Sequence, residues 1–242
     1  MKEIFFKQYK LYLMEALGLG IFMISACFFT AMLEHPSTTW HAAFLNGTTR
    51  LIIIAAAMGL TALFIFYSPV TAPSGAHINP AVTLVHLRQG NINRTNAFFY
   101  IIFQIAGGTL AVYMMAFFMG NLLTAAPVNY VVTVPGKNVP LPKVAFCEFF
   151  ISFIMITMVL NTSANTALKK YTRIFAAMLV FGNVIIAGPI SGFGMNPARS
   201  FASALPANNF TAFWIYVFFP LAGMLGAGEL FLYVKKIKGE SV

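Results

Sequence analysis

Six long apolar stretches dominate this chain, at residues 11–33, 51–67, 97–119, 144–160, 174–190 and 212–234. All are rich in Leu, Ile, Phe, Ala, Met and Gly, and together they hold only three residues of the Asp, Glu, Lys, Arg and His set: Glu15, Glu148 and Glu229. A helix needs about 20 such residues to cross the hydrocarbon core of a bilayer. The runs are apolar all round, whereas a transmembrane strand alternates apolar and polar residues over about ten positions. Only 9% of the 242 residues are charged, against about 25% in ordinary soluble domains. So little polar surface excludes a soluble globular enzyme, and the long apolar runs exclude a disordered or fibrous chain. Six spans use about 120 residues, which leaves no room for a separate soluble catalytic domain.

The net charge of +9 would suggest nucleic acid in a soluble protein, but here the basic residues are confined to certain loops, and no nucleic-acid partner is expected. With six spans, eleven fall on one side: Lys2, Lys7, Lys10, Arg88, Arg94, Lys169, Lys170, Arg173, Lys235, Lys236 and Lys238. Three fall on the other, Arg50, Lys137 and Lys143, while Arg199 stands apart. This bias places both termini in the cytoplasm, and the bilayer is expected to be a plasma or inner membrane. The N-terminal tail lacks a small-residue cleavage site before a short apolar core, so 11–33 is read as a retained helix. Cys27 and Cys147 lie in apolar stretches without a CxxC or Cys/His cluster. Buried thiols are expected, with no structural metal and no cofactor.

Two connections carry short apolar, helix-compatible pieces, Ala81–Leu87 and Ala198–Ala204, each beginning just after Asn-Pro. Short hydrophobic segments in matching places of two halves are expected as re-entrant half-helices lining a cavity. The two pieces also repeat. Ser74-Gly75-Ala76-His77-Ile78-Asn79-Pro80-Ala81-Val82 aligns with Ser191-Gly192-Phe193-Gly194-Met195-Asn196-Pro197-Ala198-Arg199 at a constant offset of 117. Glu15 and Glu148 open the first and fourth spans at an offset of 133. A first repeat over about 11–119 and a second over about 144–234, each with three spans, sit in the membrane with opposite orientation, within one channel domain covering 1–242. The expected fold is an all-α membrane protein of six transmembrane helices plus two re-entrant half-helices.

Paired Asn-Pro-Ala boxes, the second extended as Asn196-Pro197-Ala198-Arg199-Ser200, resemble those of the aquaporins, or major intrinsic proteins. The resemblance covers nearly the whole chain, with a Glu early in spans one and four, Gln104 in span three, and Pro220 with Gly223 in span six. It implies a channel and a homotetramer with one pore per subunit. Pro80 and Pro197 suit the first helical turn, and Asn79 and Asn196 can cap the half-helices through their side-chain oxygens. Their NH2 groups are then expected to point freely into the cavity as two donors side by side. The positive half-helix ends oppose protons and cations. Arg199 would form the filter near the outer mouth. In the family, the carboxylates matching Glu15 and Glu148 hold loop backbone behind the half-helices. His77 either lines the inner vestibule or is a core histidine bonded to a backbone carbonyl. His35, His41 and His86 carry no signal, and Glu229 is expected at the membrane interface.

By resemblance, the narrowest point is formed by Arg199, Phe193, Val184 and either Met58 or Gly59 from span two. Phe193 with Met195 resembles glycerol facilitators, Ser200 resembles water channels, and Gly188 to Gly192 with Trp214-Ile215-Tyr216 is similar to plant nodulin-like intrinsic proteins. A filter with Gly59 facing the pore would be wide and apolar, favouring glycerol and other small neutral solutes beside water. The alternatives are a strict water channel, an ion-coupled transporter and an intramembrane enzyme. An enzyme would need a nucleophile with a base, paired carboxylates or metal ligands, yet Asp is absent and no span holds a His. No catalytic residue is assigned. Coupled transport usually needs titratable groups at the midplane, and Arg199 would oppose cations.

Overall fold

The computed structural model of the chain is described over residues 2–239, so the limits 1 and 242 of the expected domain lie outside the described residues. In chain order the helices are α1 (Lys2–Glu34), α2 (Thr39–Ala43), α3 (Gly47–Tyr67), α4 (Pro80–Arg88), α5 (Arg94–Met119), α6 (Asn121–Thr124), α7 (Leu141–Ala164), α8 (Thr172–Ser191), α9 (Pro197–Ala207) and α10 (Phe213–Ile237). Six are long and apolar enough to cross a membrane: α1, α3, α5, α7, α8 and α10. Among the described residues there is no strand.

The helices start where the sequence supplies caps. Asn46 accepts from Thr48 N and Thr49 N to open α3, and Asn93 accepts from Asn96 N to open α5. The first helix is longer than its apolar run. It takes in the polar residues from Lys2 to Lys10 and reaches 33 residues, or about 50 Å at 1.5 Å per residue. That exceeds the hydrocarbon core of about 30 Å, so one end stands clear of it.

Within each half, one crossing is built the same way. A Cβ on Gly107 of α5 would lie 2.2 Å from Ala16 O of α1, and a Cβ on Gly223 of α10 would lie 2.3 Å from Phe149 O of α7. Lipid tails are as apolar as Leu, so spans gain by packing backbone on backbone, and only Gly permits this approach. Between the halves, α3 packs on α8. The half-helices cross over: α4 lies against α10 as well as α5, while α9 lies mainly against α5. The N-termini of α4 and α9 meet inside the bundle.

Candidate functional site

The loops ahead of the two half-helices adopt one unusual backbone twice. Gly75, Ala76 and Ile78 have φ of 91°, 47° and 43°, and their counterparts at offset 117, Gly192, Phe193 and Met195, have φ of 75°, 55° and 49°. Non-glycine residues in this left-handed region cost about 1–3 kcal/mol each and persist only where surroundings over-determine them. Two fully buried carboxylates do so. Glu15 accepts from His77 N at 3.0 Å, Ile78 N at 2.6 Å, Ser74 Oγ at 2.6 Å and Gln104 Nε2 at 2.7 Å. Glu148 accepts from Gly194 N at 2.9 Å, Met195 N at 2.6 Å and Ser191 Oγ at 2.6 Å. Glu148 has no partner corresponding to Gln104, whose second N–H goes to Thr83 Oγ1 at 3.1 Å.

The loops deliver Asn79 and Asn196 to the half-helix N-caps. Asn79 Oδ1 accepts from Ala81 N at 2.9 Å, and Asn196 Oδ1 accepts from Ala198 N at 3.0 Å and Arg199 N at 3.2 Å. Pro80 and Pro197 follow at the first helical position. The sequence implies that both amide NH2 groups are free, and here the structure corrects it. Asn79 Nδ2 donates to Met195 O at 3.0 Å and Asn196 Nδ2 donates to Ile78 O at 2.7 Å, which leaves one N–H on each. These buried loop carbonyls need a donor, and the opposite asparagine supplies it.

A cavity of about 310 Å³ runs from Thr172 and Arg173, on the side rich in Lys and Arg, past His86 and His77 to the two asparagines, and ends at Phe193 and Arg199. Its walls are otherwise mostly apolar, with Phe22, Phe66, Met155, Val180 and Met224 from five spans, and no Asp or Glu lines it. Arg199 is 8% exposed. Its Nη1 donates to Val131 O at 2.9 Å and Ser203 Oγ at 3.3 Å, while its buried Nε meets no protein partner. Val131 ends a turn in which Asn129, Tyr130 and Val131 all have positive φ, at 42°, 54° and 51°, and this turns the carbonyl onto the guanidinium.

The span-two reading needs correction. A Cβ on Gly59 would lie 3.0 Å from Phe181 Cβ and 3.2 Å from Ala177 O, so Gly59 faces α8 and widens no pore. From α3 the cavity takes Ala62 and Phe66. Met58 and Val184 are buried, at 4% and 5% exposure, and neither lies on the cavity wall. Val184 stands one helical turn beyond Val180, which does.

A sequence profile of the major intrinsic proteins matches residues 3–231. The chain belongs to that family. Among its relatives is "Probable aquaporin TIP-type RB7-5A" of Nicotiana tabacum, 38% identical over 184 residues, which cover 75% of this chain and 71% of the relative. Aquaporin NIP1-2 of Oryza sativa subsp. japonica is 30% identical over 216 residues, covering 88% and 67%. The X-ray structure of the aquaglyceroporin from Plasmodium falciparum shares the fold, with a TM-score of 0.75, 18% identity and coverage of 92% and 95%. As a member of a channel family, the chain is an integral membrane protein and not an enzyme.

Two residues of this major intrinsic protein were undervalued in the sequence. His86 lines the cavity with its ring stacked on His77. The available signal was spacing: His86 follows Asn79 by seven residues, two helical turns, on the same face of α4. Glu229 pairs with Arg88 across α10 and α4 in an exposed ion pair. Of the two cysteines, Cys27 is buried and Cys147 only half-buried.

Proposed function

We propose that the chain is a channel for passive permeation of water and small neutral solutes such as glycerol, and that it excludes ions and protons. One observation carries this reading: an apolar-walled cavity whose deep end is set with side-chain donors, the two asparagine amides and Arg199, and which no carboxylate lines. Donors in a narrow apolar channel replace the hydration of an oxygen-bearing solute. A cation would meet the Arg199 charge and the positive ends of α4 and α9, with nothing to compensate it. Phe193 gives a carbon backbone an apolar surface beside Arg199, and Val184 and Met58 are the partners we assign at the outer constriction.

Both termini are assigned to the cytoplasm of a plasma or inner membrane, and the working assembly is a homotetramer. Stopped-flow shrinkage of proteoliposomes, with water and glycerol measured in the same vesicles, tests the permeation reading. A strict water channel is the second reading, and the turning of Gly59 toward α8 favours it, because a wide filter loses one support. Water flux without glycerol flux above protein-free vesicles would establish that second reading, and a sodium or potassium current would sink both.

A further inference from the structure

His77 and His86 stack with ring centroids 4.4 Å apart and planes within 10°, and both line the cavity. Their Nδ1 atoms meet partners of opposite chemistry. Asn91 brings Nδ2, which can only donate, to His86 Nδ1 at 3.2 Å. In this arrangement the same nitrogen also donates to Gln89 Oε1 at 3.2 Å. With Asn91 donating, a neutral His86 carries its proton on Nε2.

Around His77 the partners dictate the reverse. Thr83 Oγ1 meets Asn79 O at 3.1 Å, Gln104 Nε2 at 3.1 Å and His77 Nδ1 at 3.2 Å. The carbonyl only accepts, so it takes the single hydroxyl proton. The Gln104 amide nitrogen only donates, and Glu15 Oε2 at 2.7 Å fixes its orientation. His77 Nδ1 is left to donate to Thr83, and a neutral ring then has a bare lone pair on Nε2. Tyr100 holds the ring edge-on at 5.3 Å, and Gly75 leaves room for it, since a Cβ there would lie 3.2 Å from His77 Cδ2 and Nε2.

We propose that the two imidazoles form a recognition subsite for a vicinal diol in the vestibule between the Arg173 mouth and the asparagines. One hydroxyl donates to His77 Nε2 and its neighbour accepts from His86 Nε2–H. This rests on the solute-channel reading above and assigns it a substrate class. The deeper side chains are one-sided, because the asparagine oxygens are spent on the helix caps and Arg199 has no acceptor. A polyol needs acceptors too, and the stacked pair supplies one beside a donor. Water or a single hydroxyl can bridge the two rings, whereas a vicinal diol places a separate hydroxyl on each and keeps both contacts at once.

The test compares propane-1,2-diol with propane-1,3-diol, which are equal in size, in vesicles bearing wild type or His86→Phe. Phenylalanine keeps the stacked ring and removes the donor. The 1,2/1,3 permeability ratio is expected to fall about fivefold, the size of one net hydrogen bond, and His86→Gln to recover part of it. Solid-state NMR of the assigned His77 and His86 imidazole nitrogens gives an independent readout, with Nδ1–H expected on His77 and Nε2–H on His86. An unchanged ratio in a wild type that conducts both diols, or two rings of the same tautomer, overturns the subsite alone. A wild type that conducts water and neither diol overturns the solute-channel reading, and the subsite with it.

Discussion

Asn79 and Asn196 are locked reciprocally, each donating an amide N–H to the carbonyl of the residue just before the other, Met195 and Ile78. The partners lie 116 and 118 positions apart in the chain, so this pair of bonds joins the two repeats at their centre. Each amide keeps one N–H for a permeating oxygen, and each side chain has its rotation fixed at both ends, oxygen on the cap and nitrogen on the opposite loop. Donors fixed in this way need no reorientation when a solute arrives, which suits a passage that must bind briefly and release.

Replacing Glu148 by Leu leaves Gly194 N, Met195 N and Ser191 Oγ without their acceptor inside the bundle. Hydrogen bonds to charged groups contribute about 1.5–3 kcal/mol each, so Glu148→Leu is expected to cost several kcal/mol and yield little folded protein. Glu148→Gln keeps an acceptor oxygen and should fall between the two. Thermal unfolding in mild detergent checks the order wild type, Gln, Leu; equal melting temperatures would contradict the bracing role.

Arg199→Ala removes the only charge at the deep end of the cavity and frees Val131 O and Ser203. The fold is expected to survive, because the second loop stays held by Glu148. Discrimination is expected to loosen, with proton and urea leak rising about tenfold, equivalent to about 1.4 kcal/mol of lost barrier. Vesicle leak assays with a pH-sensitive dye and with urea gradients measure this. An unchanged leak in a well-folded variant speaks against a filter at Arg199.

Gly59→Ala tests the direction in which span two faces. The new methyl would press on Phe181 and Ala177 O in the α3–α8 crossing. Overpacking of this kind costs about 1–3 kcal/mol, so the melting temperature is expected to drop while the glycerol-to-water permeability ratio stays put. A changed ratio at unchanged stability would return Gly59 to the pore.

Val184→His is expected to narrow the outer constriction and add a polar group there, cutting glycerol flux several-fold more than water flux in the same vesicles. Val184 sits one turn beyond the wall residue Val180, toward the Arg199 end. Equal loss of both fluxes would mean the substitution blocks or unfolds the channel rather than reshaping its filter.

The spans and the half-helices were legible in the sequence because each rests on local chemistry, whereas the bracing by Glu15 and Glu148, whose loop partners lie 43 to 63 positions away, came from the family resemblance. A run of 17–23 apolar residues has one stable form in lipid, and Asn-Pro sets a helix start whatever surrounds it. What stayed hidden depends on relative rotation of helices. Met58 and Gly59 differ by about 100° around one axis, and no spacing rule says which of two neighbours a crossing will take. The cross-repeat bonds of Asn79 and Asn196 were hidden for a related reason: the acceptors are backbone carbonyls, which have no residue type to recognise. His86 was passed over because a single histidine has no pattern, although its register with Asn79 was there to be counted.

The crossed packing of the half-helices bears on how such a chain is made. The first half-helix, α4, seats against α10 and is tied to it through Arg88 and Glu229, yet α10 is made well over a hundred residues after it. Before the second loop and α9 are made, α4 has only α5 of its packing partners, and Asn79 and Ile78 lack the bonds to Met195 and Asn196. Assembly therefore cannot finish one repeat at a time during translation. A chain halted before Ser191 is expected to keep its early spans in the bilayer while the Asn79 loop, lacking its bonds to Met195 and Asn196, is more open to water and to protease than in the full chain.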